Sequence, residues 1–176
     1  MNEELSNKIF DLLAKFAEYG FNKAHAAAYS VISYQTAYLK YYFPVEFILS
    51  TTNMEIADSD KVNFYLKDLK EHGVKILPPD INESEPLFNV ELIDIDPNLK
   101  EKKDAIFKNA KIHHDGKEIA ARYGLAGIKG VGISVGEDIV AERNKNGPFK
   151  DIFDFVERMD GKVINKKTME ALSKAG

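Results

Sequence analysis

The sequence predicts a mainly α protein of the α+β kind, with one small antiparallel β-hairpin and no parallel sheet. Three observations carry this. Apolar residues recur at three- and four-residue steps through much of the first 72 positions, the helical period. Alternation with period two is confined to the stretch from Leu87 to Tyr123. Five of the eleven glycines, at 124, 127, 130, 132 and 136, then precede a tail of three short helical segments.

The first helix is expected over 5–18, where Leu5, Ile9, Leu12, Leu13 and Phe16 share a face, with Tyr19–Gly20 as its stop. Asn22 is a good N-cap for a second helix running to about Tyr42, where Pro44 ends it. Residues 45–53 and 59–72 continue the helical pattern. Val62, Tyr65, Leu66 and Leu69 form one face of the latter, and Gly73 stops it. Val74–Pro79 is a short extended piece. Phe88, Val90 and Leu92 alternate as in a strand. Ile106–His113 and Lys117–Tyr123 then flank Asp115–Gly116, a type I′ hairpin signal. Helices are expected at about 134–144, 149–158 and 165–174, separated by Asn146–Gly147–Pro148 and Asp160–Gly161. Three segments follow: 1–86 helical, 87–123 a small hairpin region, and 124–176 the glycine-led tail.

Composition narrows the function classes. The 176 residues carry 24 Lys/Arg against 28 Asp/Glu, net −4, so bulk electrostatics does not drive binding to a polyanion and any phosphate site is local. Residues 1–121 are net −6 and residues 122–176 net +2. No apolar run is long enough for a membrane span, and the acidic start is not that of a signal peptide. The absence of cysteine removes disulfides and thiolate chemistry and fits a cytoplasmic protein. His113 and His114, adjacent in a strand, point to opposite faces and make poor joint metal ligands.

Two stretches could hold an anion. No acid occurs between Glu18 and Glu46, a gap containing Lys23, His25, Lys40 and six of the eight tyrosines. Asn22, Lys23 and His25 would form the cap and first turn of the second helix. Unpaired N–H groups and the macrodipole favour a phosphate there, with Tyr34 and Gln35 further on for a base or sugar. The alternative is that the tyrosines pack as core and Lys23 is merely solvated. The second stretch is Gly127–Ile128–Lys129–Gly130–Val131–Gly132 leading into a helix. Its backbone N–H groups can cup a phosphate, with Lys129, Gly130, Val131 and Gly132 as contacts. A dinucleotide fingerprint is rejected because the third glycine is missing at the required spacing and no second strand follows the helix. A helix-hairpin-helix turn gripping duplex DNA without reading sequence, or a tight turn needed only for packing, remains.

Four strings together carry a resemblance to a known family. Tyr19–Gly–Phe–Asn–Lys–Ala–His–Ala–Ala–Ala–Tyr29, Ser33–Tyr–Gln–Thr36, Lys75–Ile–Leu–Pro–Pro–Asp–Ile–Asn82 and Gly127–Ile–Lys–Gly–Val–Gly132 resemble, in order and spacing, the alpha subunits of bacterial DNA polymerase III. The resemblance covers nearly the whole chain. It implies a piece of the fingers domain running into the helix-hairpin-helix region of a replicative polymerase, with template–primer DNA, a deoxynucleoside triphosphate and the rest of the polymerase and replicase as partners. Lys23 would then meet phosphate, and His25 would stand near the sugar and help exclude a ribose 2′-OH. Ala24 replaces the family's usual Ser, and residues 96–112 read as an insertion. The family's palm aspartates, which hold Mg2+ in the full enzyme, have no counterpart here. The chain therefore reads as a fragment, inactive alone and without a cofactor of its own, stopping where a second hairpin would begin. A non-enzymatic helix-hairpin-helix DNA-binding module is the alternative, and a helical protein-interaction domain a third.

Overall fold

A computed structural model describes residues 2–18, 23–94, 113–114 and 117–175. Gly20, Asn22, the 96–112 insertion and the Asp115–Gly116 turn lie outside the described residues. Two compact units are present, 1–38 and 39–176.

The first unit holds α1 (Glu3–Glu18) and most of α2 (Lys23–Tyr42). Asn2 caps α1 by accepting from the Glu4 N–H at 3.1 Å, with Glu3 and Glu4 in its first turn and Lys15 in its last. The apolar stripe expected for α1 is left open: Leu5, Ile9, Leu12, Leu13 and Phe16 are all at least 41% exposed. No residue of α2 is buried. The tyrosines of α2 therefore do not form core among the described residues.

In the second unit, α3 (Pro44–Met54) and α4 (Ser59–Glu71) pack against a small sheet. Pro44 opens α3, where its missing N–H costs nothing. Asp58 caps α4, accepting from the N–H groups of Asp60 and Lys61. Val45, Ile48, Leu49, Val62 and Leu69 bury against Val74, Phe88, Ile119 and Ala121, the first of two cores.

The sheet comprises β1 (Ile76–Leu77), β2 (Asn89–Asp94), β3 (His113–His114) and β4 (Lys117–Arg122). β4 is central, antiparallel to β2 from Asn89↔Arg122 to Asp94↔Lys117, and antiparallel to β3. The expectation of no parallel pairing needs one correction. Ile76 and Leu77 pair parallel with Ala121 and Arg122. This two-residue pair closes the free edge of β4, whose residues Ile119–Arg122 are all buried. Arg122 bridges the strands, donating from Nε and Nη2 to both Glu91 oxygens at 2.6 and 2.7 Å and from Nη1 to the Pro78 carbonyl.

After β4 the chain crosses itself closely. A side chain at Gly124 would meet the Leu87 carbonyl carbon at 2.4 Å, so only glycine fits this crossing. A 3₁₀ turn (Leu125–Gly127), α5 (Ile133–Asn146), α6 (Ile152–Arg158) and α7 (Lys166–Ala175) then build the second core from Leu125, Ile128, Val131, Ile139, Val140, Phe149, Phe155, Met159 and Val163. Tyr123 packs against both cores, and its hydroxyl donates to the Gly127 carbonyl. Among the described residues, no helix is long and apolar enough to cross a membrane.

Arg158 ties α6 to α5. It reaches Glu142 at 2.9 Å, Asp154 at 3.0 Å and the Gly147 carbonyl, and lies over the Phe149 ring. Both carboxyls are held below the usual range, Glu142 chiefly by Asn146 and then Arg158, Asp154 chiefly by the Lys150 N–H and then Arg158. A depressed folded-state pKa contributes stability that is complete at neutral pH and lost as pH falls through the carboxylate range. The urea midpoint should therefore drop between pH 6 and pH 3, and Arg158→Met should flatten that drop. An unchanged profile in the variant would separate this cluster from acid sensitivity.

Candidate nucleic-acid interface

The turn between the 3₁₀ element and α5 is built by local backbone chemistry. The Val131 N–H donates to the Ile128 carbonyl at 2.9 Å, and Gly130 sits at φ 105°, a region β-carbons avoid. Gly132 precedes α5 with extended backbone and supplies no side-chain cap. No acid occupies the first turn of α5. Among the described residues, the N–H groups of Gly132, Ile133 and Ser134 find no acceptor. Those donors and the positive helix end lie together.

The surroundings keep this end open. A β-carbon at Gly132 would touch nothing within 4 Å. Lys129 is exposed beside it. Arg143, by contrast, is buried further along α5, where it donates to the carbonyls of Ile81 and Ser84 and pairs with Glu85 at 3.1 Å. Arg122, Arg143 and Arg158 are thus occupied in structure, and lysines supply the accessible positive charge of the tail. The structure brings Lys129, Gly130, Val131 and Gly132 into one turn, as the sequence pattern expects.

The other predicted cluster lies on α2. Lys23 begins the helix, and Lys23, His25, Tyr34 and Gln35 are all exposed. At about 100° per residue, Lys23 and Tyr34 fall on one face, roughly 16 Å apart along the axis. His25 falls nearly opposite, with its ring 4.3 Å from that of Tyr29. An uninterrupted helix therefore spreads these groups around its end and does not gather them into one pocket. Asn22 lies outside the described residues.

Sequence reasoning missed two side-chain clamps. Asn53 donates to the Phe88 carbonyl and accepts from the Phe88 N–H at 2.8 and 2.9 Å. Asn82 does the same with Phe149, at 2.9 and 2.8 Å. Each amide mimics a strand neighbour and orders a loop without secondary structure. Asn82 lies in the Lys75–Asn82 string, and that is the only signal the sequence offered.

A family model described as "Helix-hairpin-helix motif" matches residues 73–176. Among similar proteins, the DNA polymerase III subunit alpha of Thermus aquaticus is 41% identical over 174 residues, covering 99% of this chain and 12% of that protein. The subunit of Rickettsia bellii is 44% identical over 180 residues, covering 100% and 15%. That of Deinococcus radiodurans is 42% identical over 174 residues, covering 99% and 11%. The chain thus spans between a tenth and a sixth of the length of these curated relatives.

Proposed function

Because the chain belongs to the helix-hairpin-helix family, we propose that the Lys129–Gly132 turn and the start of α5 hold the sugar–phosphate backbone of template–primer DNA within a replicative DNA polymerase. The observation that carries this reading is the open row of N–H donors at Gly132, Ile133 and Ser134, beside an exposed lysine and free of any acid. Such donors meet phosphate oxygens of any sequence, so they fix the position of the duplex and leave base identity unread. The exposed N-terminal end of α2 is the finer part of the proposal. There Lys23 would neutralise the phosphates of an incoming deoxynucleoside triphosphate while His25 borders its sugar. The open stripe of α1 is assigned to the rest of the polymerase chain and its assembly.

Among the described residues, no group of three or more His, Asp or Glu side chains could hold a metal ion. No bond-making step is assigned to the described residues. Their part is positioning and charge neutralisation. Primer extension by the 176-residue chain should accordingly yield no product.

Gly132→Ala separates fold from function. Nothing crowds the added methyl and φ is negative, so thermal stability should stay unchanged. The methyl would stand where a phosphate must approach, and affinity for duplex DNA should fall roughly tenfold, the worth of one hydrogen bond to a charged group. Lys129→Ala should weaken binding equally for unrelated duplexes. The wild-type chain, net acidic with few phosphate contacts, should bind at about 10⁻⁴ M or weaker at physiological salt. Anisotropy titrations, at low salt for the variants and continued to physiological salt for the wild type, measure all three. Wild-type affinity in both variants, or a loss confined to one DNA sequence, would sink the reading.

A further inference from the structure

Beside the turn lies an open cleft of about 920 Å³. One wall is Lys129–Gly130–Val131, and another is α7, which contributes Lys167, Glu170 and Lys174. Lys167 and Lys174 are seven residues apart, two helical turns on one face, so their stems are separated by about 10 Å. Lys167 reaches the turn itself: a β-carbon on Gly130 would meet its Cε at 3.6 Å and its Cγ at 3.9 Å. The lysine stem thus lies beside the turn at ordinary contact distance.

The three lysines lining this cleft lack carboxylate partners among the described residues, unlike Lys61, Lys67 and Lys166, which pair with Glu55, Glu71 and Glu170. The cleft lining holds three lysines against one acid, Glu170, an excess of positive charge that a bound anion would offset. The spacing of Lys167 and Lys174 exceeds the size of a single phosphate, so a chain of phosphates suits them better than an isolated one.

We propose that this face of α7 is a second backbone-gripping surface. Lys167 would take a phosphate next to the one at the turn, and Lys174 another further along the same strand. The inference rests on the reading of the turn as a duplex-backbone site and extends it to an element outside the glycine motif.

The test uses the whole 176-residue chain and a 20-base-pair duplex, with affinity followed by anisotropy from about 20 to 150 mM salt. Two lost phosphate contacts should make the slope of log K against log salt shallower by about 1.8. Lys167→Ala/Lys174→Ala should show that change on duplexes of unrelated sequence. Lys145→Ala, at the far end of α5, should leave the slope as it is. Glu170→Gln, which removes the acid from the cleft, should strengthen binding roughly twofold. A wild-type slope in the double variant, with Lys129→Ala still weakening binding, would overturn the α7 surface and leave the turn standing. No salt-dependent duplex binding by the wild type would remove both. Tripolyphosphate that binds more tightly than duplex, with the same lysine dependence, would overturn the proposal in favour of a free-phosphate site.

Discussion

Arg143→Ala is expected to cost the second unit about 3 kcal/mol or more, on the order of 10 °C in Tm. The guanidinium is buried and serves three acceptors at once: the carbonyls of Ile81 and Ser84 and the carboxylate of Glu85. Truncation leaves two carbonyls without donors, one on the fully buried Ser84, and opens a void beside Ile139 and Val140 in the same helix. Lysine should rescue little, since one ammonium cannot reproduce the planar fork. Urea unfolding at pH 7 measures the loss. A change below about 1 kcal/mol in Arg143→Ala would mean that the 81–85 turn holds its place without this anchor.

The second large effect is expected at the start of α2, in a full-length polymerase carrying this segment. Lys23→Ala should raise KM for every deoxynucleotide alike, by about 10- to 150-fold, the worth of a charge-assisted hydrogen bond to phosphate. Lys23 sits where the helix dipole opposes its charge, an arrangement that a triphosphate would offset. His25 leans on Tyr29 and so presents a fixed bulk to the opposite side of the helix end. His25→Ala should relax discrimination against ribonucleotides more than it lowers affinity for deoxynucleotides. Ratios of kcat/KM for matched ribo- and deoxynucleotides decide the matter. If that ratio holds in His25→Ala and KM holds in Lys23→Ala, this helix end has no role in nucleotide selection.

The helices were legible because their signals are local. The 3.6-residue rows of α3 and α4, with Gly73 as the stop of the latter, place those elements within a residue or two of their observed bounds. The glycine turn was legible for the same reason, since Gly130 marks a backbone that other residues resist. What escaped depends on partners far along the chain. β1 is two residues long and owes its existence to β4, some 45 positions away. The Asn53 and Asn82 clamps reach across 35 and 67 residues, and nothing in their neighbours announces them. The buried arginines were counted as basic charge in the tail, because composition cannot tell a cation locked to carbonyls from one facing solvent. The same blindness hid the spread of Lys23 and His25 around α2, which follows from the helix continuing unbroken to Tyr42.

The reach of Arg143 and Asn82 bears on how this region could be transplanted. Cut at Gly124, the tail would keep its turn and three helices and would look like a minimal graft for giving another protein a grip on DNA. It would also lose Ile81, Ser84 and Glu85, which hold α5 by its arginine, and Asn82, which holds the chain at Phe149. Tyr123, the residue common to both cores, would go with them. The portable unit therefore begins upstream of the Lys75–Asn82 string, and shorter grafts would carry the motif without the framework that aims it.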